Sequence, residues 1–471
     1  MSEKKLSAEN KRMGRFDNLN PLDHRYAAKE GISELRDYLS ESAKVDYQLR
    51  VETVLVKKLA EFDFCDDDVY RQVKDAAEEV TAAEVYEEEK KTKHNIRALA
   101  NCLQRRVSEK ARPFIHFTAT SSDIIDTANS LRYKEAVEAE ILPALKDLQK
   151  KLMAIARREK DTLQIGRTHG QHAVPITFGF ALSEYVSRLG GRIQTIQRAR
   201  DELKGQLSGA VGAYNAIDLF LDEPEEFEKE VLSELGLEPA SHSTQIVEPE
   251  FTLDLLHGVV SAMGVMANLS DDMRHLQRSE ISEVGEYFEE DQVGSSTMPH
   301  KMNPINYENI KSMWKEISAR MVTRYNDQIS EHQRDLSNSA SSRFIPEILA
   351  AFHISINRLQ KVMEKFSVFA ESMKENYDLN SDLVAAEPLY ILLAYHGHPD
   401  AHEAVRILSM EAREKGVDLQ DLVVKSDELD DYWQNFTAEQ QQIIRDPESY
   451  IGRSVEKTEA VVSEWEEKLD L

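Results

Sequence analysis

Apolar residues recur at helical spacing through most of this chain. Ile141, Leu145, Leu148, Leu152 and Ile155 are separated by 4, 3, 4 and 3 residues, which lays one apolar stripe along a long helix. Leu256, Val259, Met263, Met266 and Met273 predict a second such helix, and Val462, Trp465 and Leu469 an amphipathic helix near residue 471. Spacing of 3 and 4 sustained over several turns also predicts bundle packing or a helical interface between copies. Apolar–polar alternation at period 2 is scarce, and no internal repeat or low-complexity tract stands out.

Three irregular segments interrupt the helical pattern. In residues 112–130, Ser, Thr and Asp cluster ahead of a helix, with Ser122 or Asp123 as the expected N-cap. In residues 164–179, Gly and Pro break the helices on both sides. Residues 289–311 carry Gly294, two serines, Pro299 and Pro304 between two helices, and Asn303 followed by Pro304 reads as a helix restart. Polar loops on a rigid helical scaffold are where chemistry usually sits, although plain connections have the same composition.

Composition narrows the fold class. Gly 18 and Pro 13 in 471 residues fall well short of the average, which is about 12% for the two together. That leaves too little turn material for a sandwich, barrel or propeller. Hydrophobic residues at 41% with 30% charged suffice for a sizeable core. The apolar stretch around Val259–Leu269 is interrupted by His257 and Asn268, so no run is expected to cross a membrane. The polar start, MSEKKLSAENKRMGRF, does not read as a signal peptide, and a soluble, cytoplasmic protein is expected.

The formal charge of −27, from 58 basic and 85 acidic residues, disfavours nucleic acid or an anionic membrane as a partner. It does not exclude a small anion, because a cleft's field is set locally. Cys65 and Cys102 can build neither a disulfide framework nor a four-cysteine metal site, and their sparse use fits a reducing compartment.

The third irregular segment is the most informative. GSSTMPHKMNP, Gly294 to Pro304, resembles the signature loop of the fumarase/aspartase superfamily. TSSD at Thr120–Asp123 and RTHGQHAVP at Arg167–Pro175 resemble that superfamily's other two active-site regions. The details are closest to its adenylosuccinate lyase branch, although the carboxymuconate-cyclising branch shares the MPHK form of His300 and Lys301. Arg25 and Tyr26 resemble the branch's phosphate-contacting pair. Lys91–Asn95 resembles its segment with a second substrate histidine, here His94, with Lys93 beside it. Gln245 in STQIVEP matches a substrate-binding glutamine, and His332–Arg343 matches a phosphate and sugar segment containing Arg334, Ser339 and Arg343. Asn95 stands where the branch usually has aspartate, and Ser339–Ser342 departs from its usual pattern. The likeness extends from about residue 20 to the YIGRSVEK segment near the C-terminus.

The resemblance implies an all-α fold: an N-terminal helical domain over 1–112, a central long-helix bundle over 113–364 and a C-terminal helical domain over 365–471. It also implies a homotetramer with sites built from three chains, no cofactor and no metal. The implied reaction eliminates fumarate from a succinylated nucleotide, either adenylosuccinate or succinylaminoimidazole carboxamide ribotide. Ser295 would be the base and His169 the acid, with Glu308 holding His169 in its charged tautomer. Lys301 and Asn303 would stabilise the aci-carboxylate, aided by a helix N-terminus whose N–H groups favour anions. Thr120, Ser121, Ser296 and Asn309 would complete the substrate contacts.

Plainer readings stand beside these. His169 and His172 lack a third residue at zinc-site spacing. Lys91 and Lys93 follow Glu87 and Glu89 by four residues, as solvated salt bridges on a helix face would. The rival functions are another lyase of the superfamily, of argininosuccinate lyase or carboxymuconate-cyclising type, and a catalytically silent structural relative.

Overall fold

A computed structural model describes residues 20–26, 32–286, 297–298, 300–329, 331–333, 335–379 and 381–471. The helices that matter below are Glu41–Glu61 (α1), Ala82–Thr92 (α2), Asn95–Gln104 (α3), Ser121–Ala136 (α4), Leu142–Arg158 (α5), Phe178–Asp201 (α6), Glu250–Leu276 (α7), Ile305–Ser318 (α8), Ile345–Glu364 (α9), Ala370–Asp378 (α10) and Ser454–Leu469 (α11). The fold is all-α. Its strands among the described residues are short: Leu163–Thr168 (β1) pairs antiparallel with Gln171–Thr177 (β2), Lys204–Gly205 (β3) parallel with Glu238–Pro239 (β4), and Val284–Gly285 (β5) antiparallel with Ser367–Val368 (β6).

The apolar stripes are buried as their spacing requires. Ile141, Leu145, Leu148, Leu152 and Ile155 all lie in the core, the first of them in a π-turn leading into α5. Leu256, Val259, Met263, Met266 and Met273 are buried on α7, and Val462, Trp465 and Leu469 on α11. Helix α7 has the length and hydropathy of a membrane span, yet 67% of its most apolar window is buried inside the protein, so it reads as a core helix.

The chain forms two compact units from interleaved stretches. The first takes residues 1–145, 192–264 and 312–358, and the second takes 146–191, 265–311 and 359–471. In the first, Val51, Leu55 and Leu59 of α1 pack with Ile124 and Leu131 of α4 and with Phe227 and Leu232. The other side of α1 packs Val45, Leu49 and Val56 against Leu99 and Leu103 of α3. In the second unit, Leu389, Leu393, Val405, Trp433 and Ile444 build one core cluster, and Ile165 of β1 packs with Tyr377 and Val384 in another.

Local chemistry sets the element ends. The Ser40 hydroxyl accepts from the Ala43 N–H at 3.1 Å and starts α1. Helix α4 is capped two or three residues earlier than expected: Thr120, not Ser122 or Asp123, is the N-cap, and Asp123 is its capping-box partner. The segment expected to be irregular over 164–179 is instead the β1–β2 hairpin followed directly by α6.

Candidate active site

The hairpin places His169 at its tip. Arg167 pairs with His172 and Thr168 with Gln171, which leaves His169 and Gly170 as a two-residue turn. Both have positive φ, 56° and 74°, the geometry of a type I′ turn whose twist suits the flanking strands. Gly usually takes such positions; His tolerates them better than most other residues, at a cost of about 1–2 kcal/mol. Gly166 interrupts the register, and a Cβ there would lie 2.6 Å from the Val174 carbonyl oxygen, so the strands approach closely only because it is glycine. His169 is exposed at this tip.

A buried carboxylate holds the hairpin's base. Glu283 is fully buried and accepts from Arg167 Nη2 at 2.5 Å, Arg167 Nη1 at 3.2 Å, Gln164 Nε2 at 2.7 Å and Asn376 Nδ2 at 2.9 Å. The strand register, the Arg167 side chain and helix α10 therefore converge on one negative charge. Burial and the adjacent Arg167 cation lower the His172 pKa below its ordinary value, which keeps that imidazole neutral near pH 7. A cavity of about 1190 Å³ opens beside the hairpin, lined by Gln164, Arg167, His172, Asp272 and Lys457 among others.

Lys301 and Asn303 lead into α8. The helix begins at Ile305, with the Glu308 N–H donating to the Pro304 carbonyl at 3.1 Å, so Asn303 precedes the helix and is not its cap. A distant carboxylate caps it. Glu286, which is 3% exposed, accepts from the Asn306 N–H at 3.1 Å, Asn306 Nδ2 at 2.8 Å and the Tyr307 N–H at 3.0 Å. Two of the helix's free N–H donors, those of Asn306 and Tyr307, therefore serve Glu286. Lys301 is exposed just ahead of this end.

Among the described residues, the side chains of His169, Lys301 and Glu308 make no hydrogen bond or ion pair within the chain, so His169 and Glu308 are not paired here. Asn309 lies one residue beyond Glu308 on α8. Ser295, Ser296 and Arg334 lie outside the described residues. No group of three or more His, Cys, Asp or Glu among the described residues is arranged to hold a metal ion.

The expected nucleotide-side residues fall in the other unit. His94 caps α3, with Nδ1 accepting from the Arg97 N–H at 3.3 Å, and turns Nε2 toward the Ser121 hydroxyl at 3.5 Å. Lys93 ends α2 at φ 56°, so it leaves the helix face and forms no pair with Glu89. Lys91 pairs with Glu88 at 3.3 Å, three residues back, and not with Glu87. Asn95 and Arg343 line one cavity of about 330 Å³ together with Lys44, Gln48 and Tyr86. Arg343 Nη1 donates to the Ser339 carbonyl at 2.8 Å. The Gln245 backbone is held at both ends, its carbonyl by Gln206 Nε2 at 2.6 Å and its N–H by the Gln333 carbonyl at 3.3 Å. Ser122, Val247, Asn338 and Ser342, near neighbours of Ser121, Gln245, Ser339 and Arg343, line a second cavity of about 170 Å³. Arg25 and Tyr26 sit on a short π-helical turn, Leu22–Tyr26, with Arg25 exposed.

Beneath the Thr120 cap lies Asp123, fully buried, accepting from the N–H groups of Thr120 at 2.8 Å and of Ser208 and Gly209 at 3.2 Å. Burial outweighs those donors and pushes its pKa up to about 7. Of the structural acids Asp123, Glu283 and Glu286, sequence reasoning singled out only Asp123, as a candidate N-cap. The last two belong to the acid-rich run EISEVGEYFEED, where nothing in residue type distinguishes a buried carboxylate from a solvated one.

Known proteins place the chain. Residues 22–318 match the lyase family and residues 330–451 the adenylosuccinate lyase C-terminal family. Adenylosuccinate lyase from Pyrococcus abyssi is 35% identical over 455 residues, covering 95% of this chain and 98% of its own length. The Archaeoglobus fulgidus adenylosuccinate lyase is 32% identical over 449 residues, covering 94% and 98%. Among solved structures, 3-carboxy-cis,cis-muconate lactonizing enzyme from Pseudomonas putida aligns with a TM-score of 0.83 at 23% identity, over 95% of this chain and all of that one. A fumarate lyase from Mesorhizobium sp. BNC1 aligns at 0.80 and 21% identity, over 91% and 97%. At these identities the structural matches speak for the fold alone. The near-full-length relatives go further: the chain belongs to the adenylosuccinate lyase family of the fumarase/aspartase superfamily.

Proposed function

We propose that this chain is a carbon–nitrogen lyase that eliminates fumarate from adenylosuccinate to leave AMP, and from succinylaminoimidazole carboxamide ribotide to leave aminoimidazole carboxamide ribotide. The observation that carries the reading is near-full-length identity of 32–35% to adenylosuccinate lyases. Ser295 takes the proton from the carbon beside one succinyl carboxylate. A serine is too weak a base unless local cations and exclusion of water favour its alkoxide. The electron pair moves into that carboxylate, and the aci-form is stabilised by Lys301 and Asn303. The pair then returns to form the carbon–carbon double bond as the C–N bond breaks. His169 protonates the departing nitrogen, which requires an imidazolium and hence a carboxylate such as Glu308 beside it. Arg25, Tyr26, Arg334, Ser339 and Arg343 hold the phosphate and sugar, while Lys93, His94, Asn95, Thr120, Ser121, Gln245, Ser296 and Asn309 contact the rest of the substrate.

His169 at an exposed hairpin tip, with no partner among the described residues of its own chain, supports assembly of each site from several chains of a homotetramer. The three consecutive domains, 1–112, 113–364 and 365–471, and a cytoplasmic location belong to the same proposal. Steady-state turnover of both purified substrates, followed by their ultraviolet change, is the test. Activity on neither, under conditions where a relative is active, overturns the reading.

A further inference from the structure

The superfamily likeness accounts for the presence of Lys301 and Asn303 but not for what fixes their direction. Gln277, the first residue beyond α7, makes two contacts with main-chain atoms of other segments. Its Oε1 accepts from the Glu286 N–H at 3.1 Å, and its Nε2 donates to the Met302 carbonyl at 3.2 Å. These partners lie 9 and 25 residues along the chain. One side chain thus ties together two main-chain segments, with the bond to the Glu286 N–H partly withdrawn from competing water.

The consequence for the site follows from the amide's rigidity. Its acceptor and donor sit on one planar group, so the peptide bearing the Glu286 N–H and the Met302 carbonyl are set at a fixed separation. Met302 stands between Lys301 and Asn303, so holding its carbonyl orients the peptides from which both side chains leave. Glu286 completes the frame from the other side by holding the Asn306 and Tyr307 N–H groups of the following helix. We infer that Gln277 is a positioning residue for the elimination: by pinning the Met302 carbonyl to the backbone at Glu286, it sets the approach of Lys301 and Asn303 to the substrate. The inference rests on the function proposed above. It names a residue that touches no substrate and acts through the main chain.

The bond to Met302 is at the protein surface, whereas the bond to the Glu286 N–H is partly buried. Losing the Met302 bond therefore costs geometry more than stability. Gln277→Met keeps the length and volume of the side chain and removes both bonds. Its kcat on adenylosuccinate should fall about 10- to 100-fold, the cost of displacing catalytic groups by roughly an ångström. KM should change less than about 3-fold, because Lys301 is needed most in the transition state and the phosphate contacts lie elsewhere. Gln277→Glu keeps the acceptor for the Glu286 N–H but cannot donate to Met302 when ionised, and should be impaired to a similar degree. Amide hydrogen exchange over 301–307, read on the full-length protein without substrate, should quicken in both variants. Wild-type kcat in Gln277→Glu would show that the Met302 bond is dispensable and overturn the inference. So would a fall in the folded fraction of Gln277→Met that accounts for all its lost turnover. Failure of the wild-type protein to turn over either substrate overturns the proposed function instead, and is seen before any variant is compared.

Discussion

Replacing Glu283 by Gln tests whether one buried charge holds the hairpin that presents His169. The substitution keeps shape and volume but removes the negative charge facing Arg167, whose side chain is 18% exposed. Four N–H groups, two from Arg167 and one each from Gln164 and Asn376, now point at a carboxylate. A glutamine offers one acceptor oxygen, and its own NH2 must face at least one of those donors. Removing one partner of a buried ion pair costs about 3–5 kcal/mol. Partial access of water to Arg167 argues for the lower end, about 3 kcal/mol. With a urea m-value of about 3 kcal/mol/M, the unfolding midpoint should drop by about 1 M. The control is Arg167→Met, which removes the stranded cation. In that background Glu283→Gln should cost less, and a double-mutant cycle should report a coupling of about 2 kcal/mol or more. A midpoint shift below about 0.3 M, or equal losses with and without Arg167, would refute the claim that this charge organises the hairpin.

Other consequences are separately measurable. His169→Asn suits the left-handed turn position, so it should fold normally while kcat falls about 10²- to 10⁴-fold, the usual contribution of a general acid; near-normal kcat would remove His169 from the mechanism. Asp123 is neutral in the fold up to a pKa of about 7, whereas unfolded it ionises near 3.9. The native state thus holds the extra proton between these values, and this group alone lowers stability by about 1.4 kcal/mol per pH unit as pH rises through the window. Asp123→Asn should remove that slope in urea midpoints measured from pH 5 to 8, and an unchanged slope would contradict it. Gly190→Ala should destabilise the protein by about 1–3 kcal/mol, because its Cβ would overlap the buried Trp465 ring of α11; an unchanged melting temperature counts against that packing. If sites draw on several chains, mixing His169→Ala and Ser295→Ala subunits should restore part of the activity, and verified mixed oligomers that stay inactive would argue for single-chain sites.

The helical class was legible in the sequence because an apolar stripe at spacing 3 and 4 has only one economical way to be buried. The stripes on α5, α7 and α11 are in the core residue by residue. The family was legible for a different reason: Ser-Ser, Lys and Asn-Pro in register form a local pattern that survives without knowledge of the fold. The hairpin was not legible. Gly166 and Pro175 interrupt its alternation, and His-Gly is a weak turn signal beside Asn-Gly, so its strands exist through pairing and through Glu283. The start of α8 was misplaced by the same limit, since its cap is a carboxylate from residue 286, far outside any capping window. Burial separated Glu283 and Glu286 from the neighbouring acids of their run. It is a property of tertiary packing, and residue type within an acidic chain carries no trace of it. The sequence determined the helical class and the family pattern of the loops; the tertiary structure alone decided which carboxylates are buried against the hairpin and the start of α8.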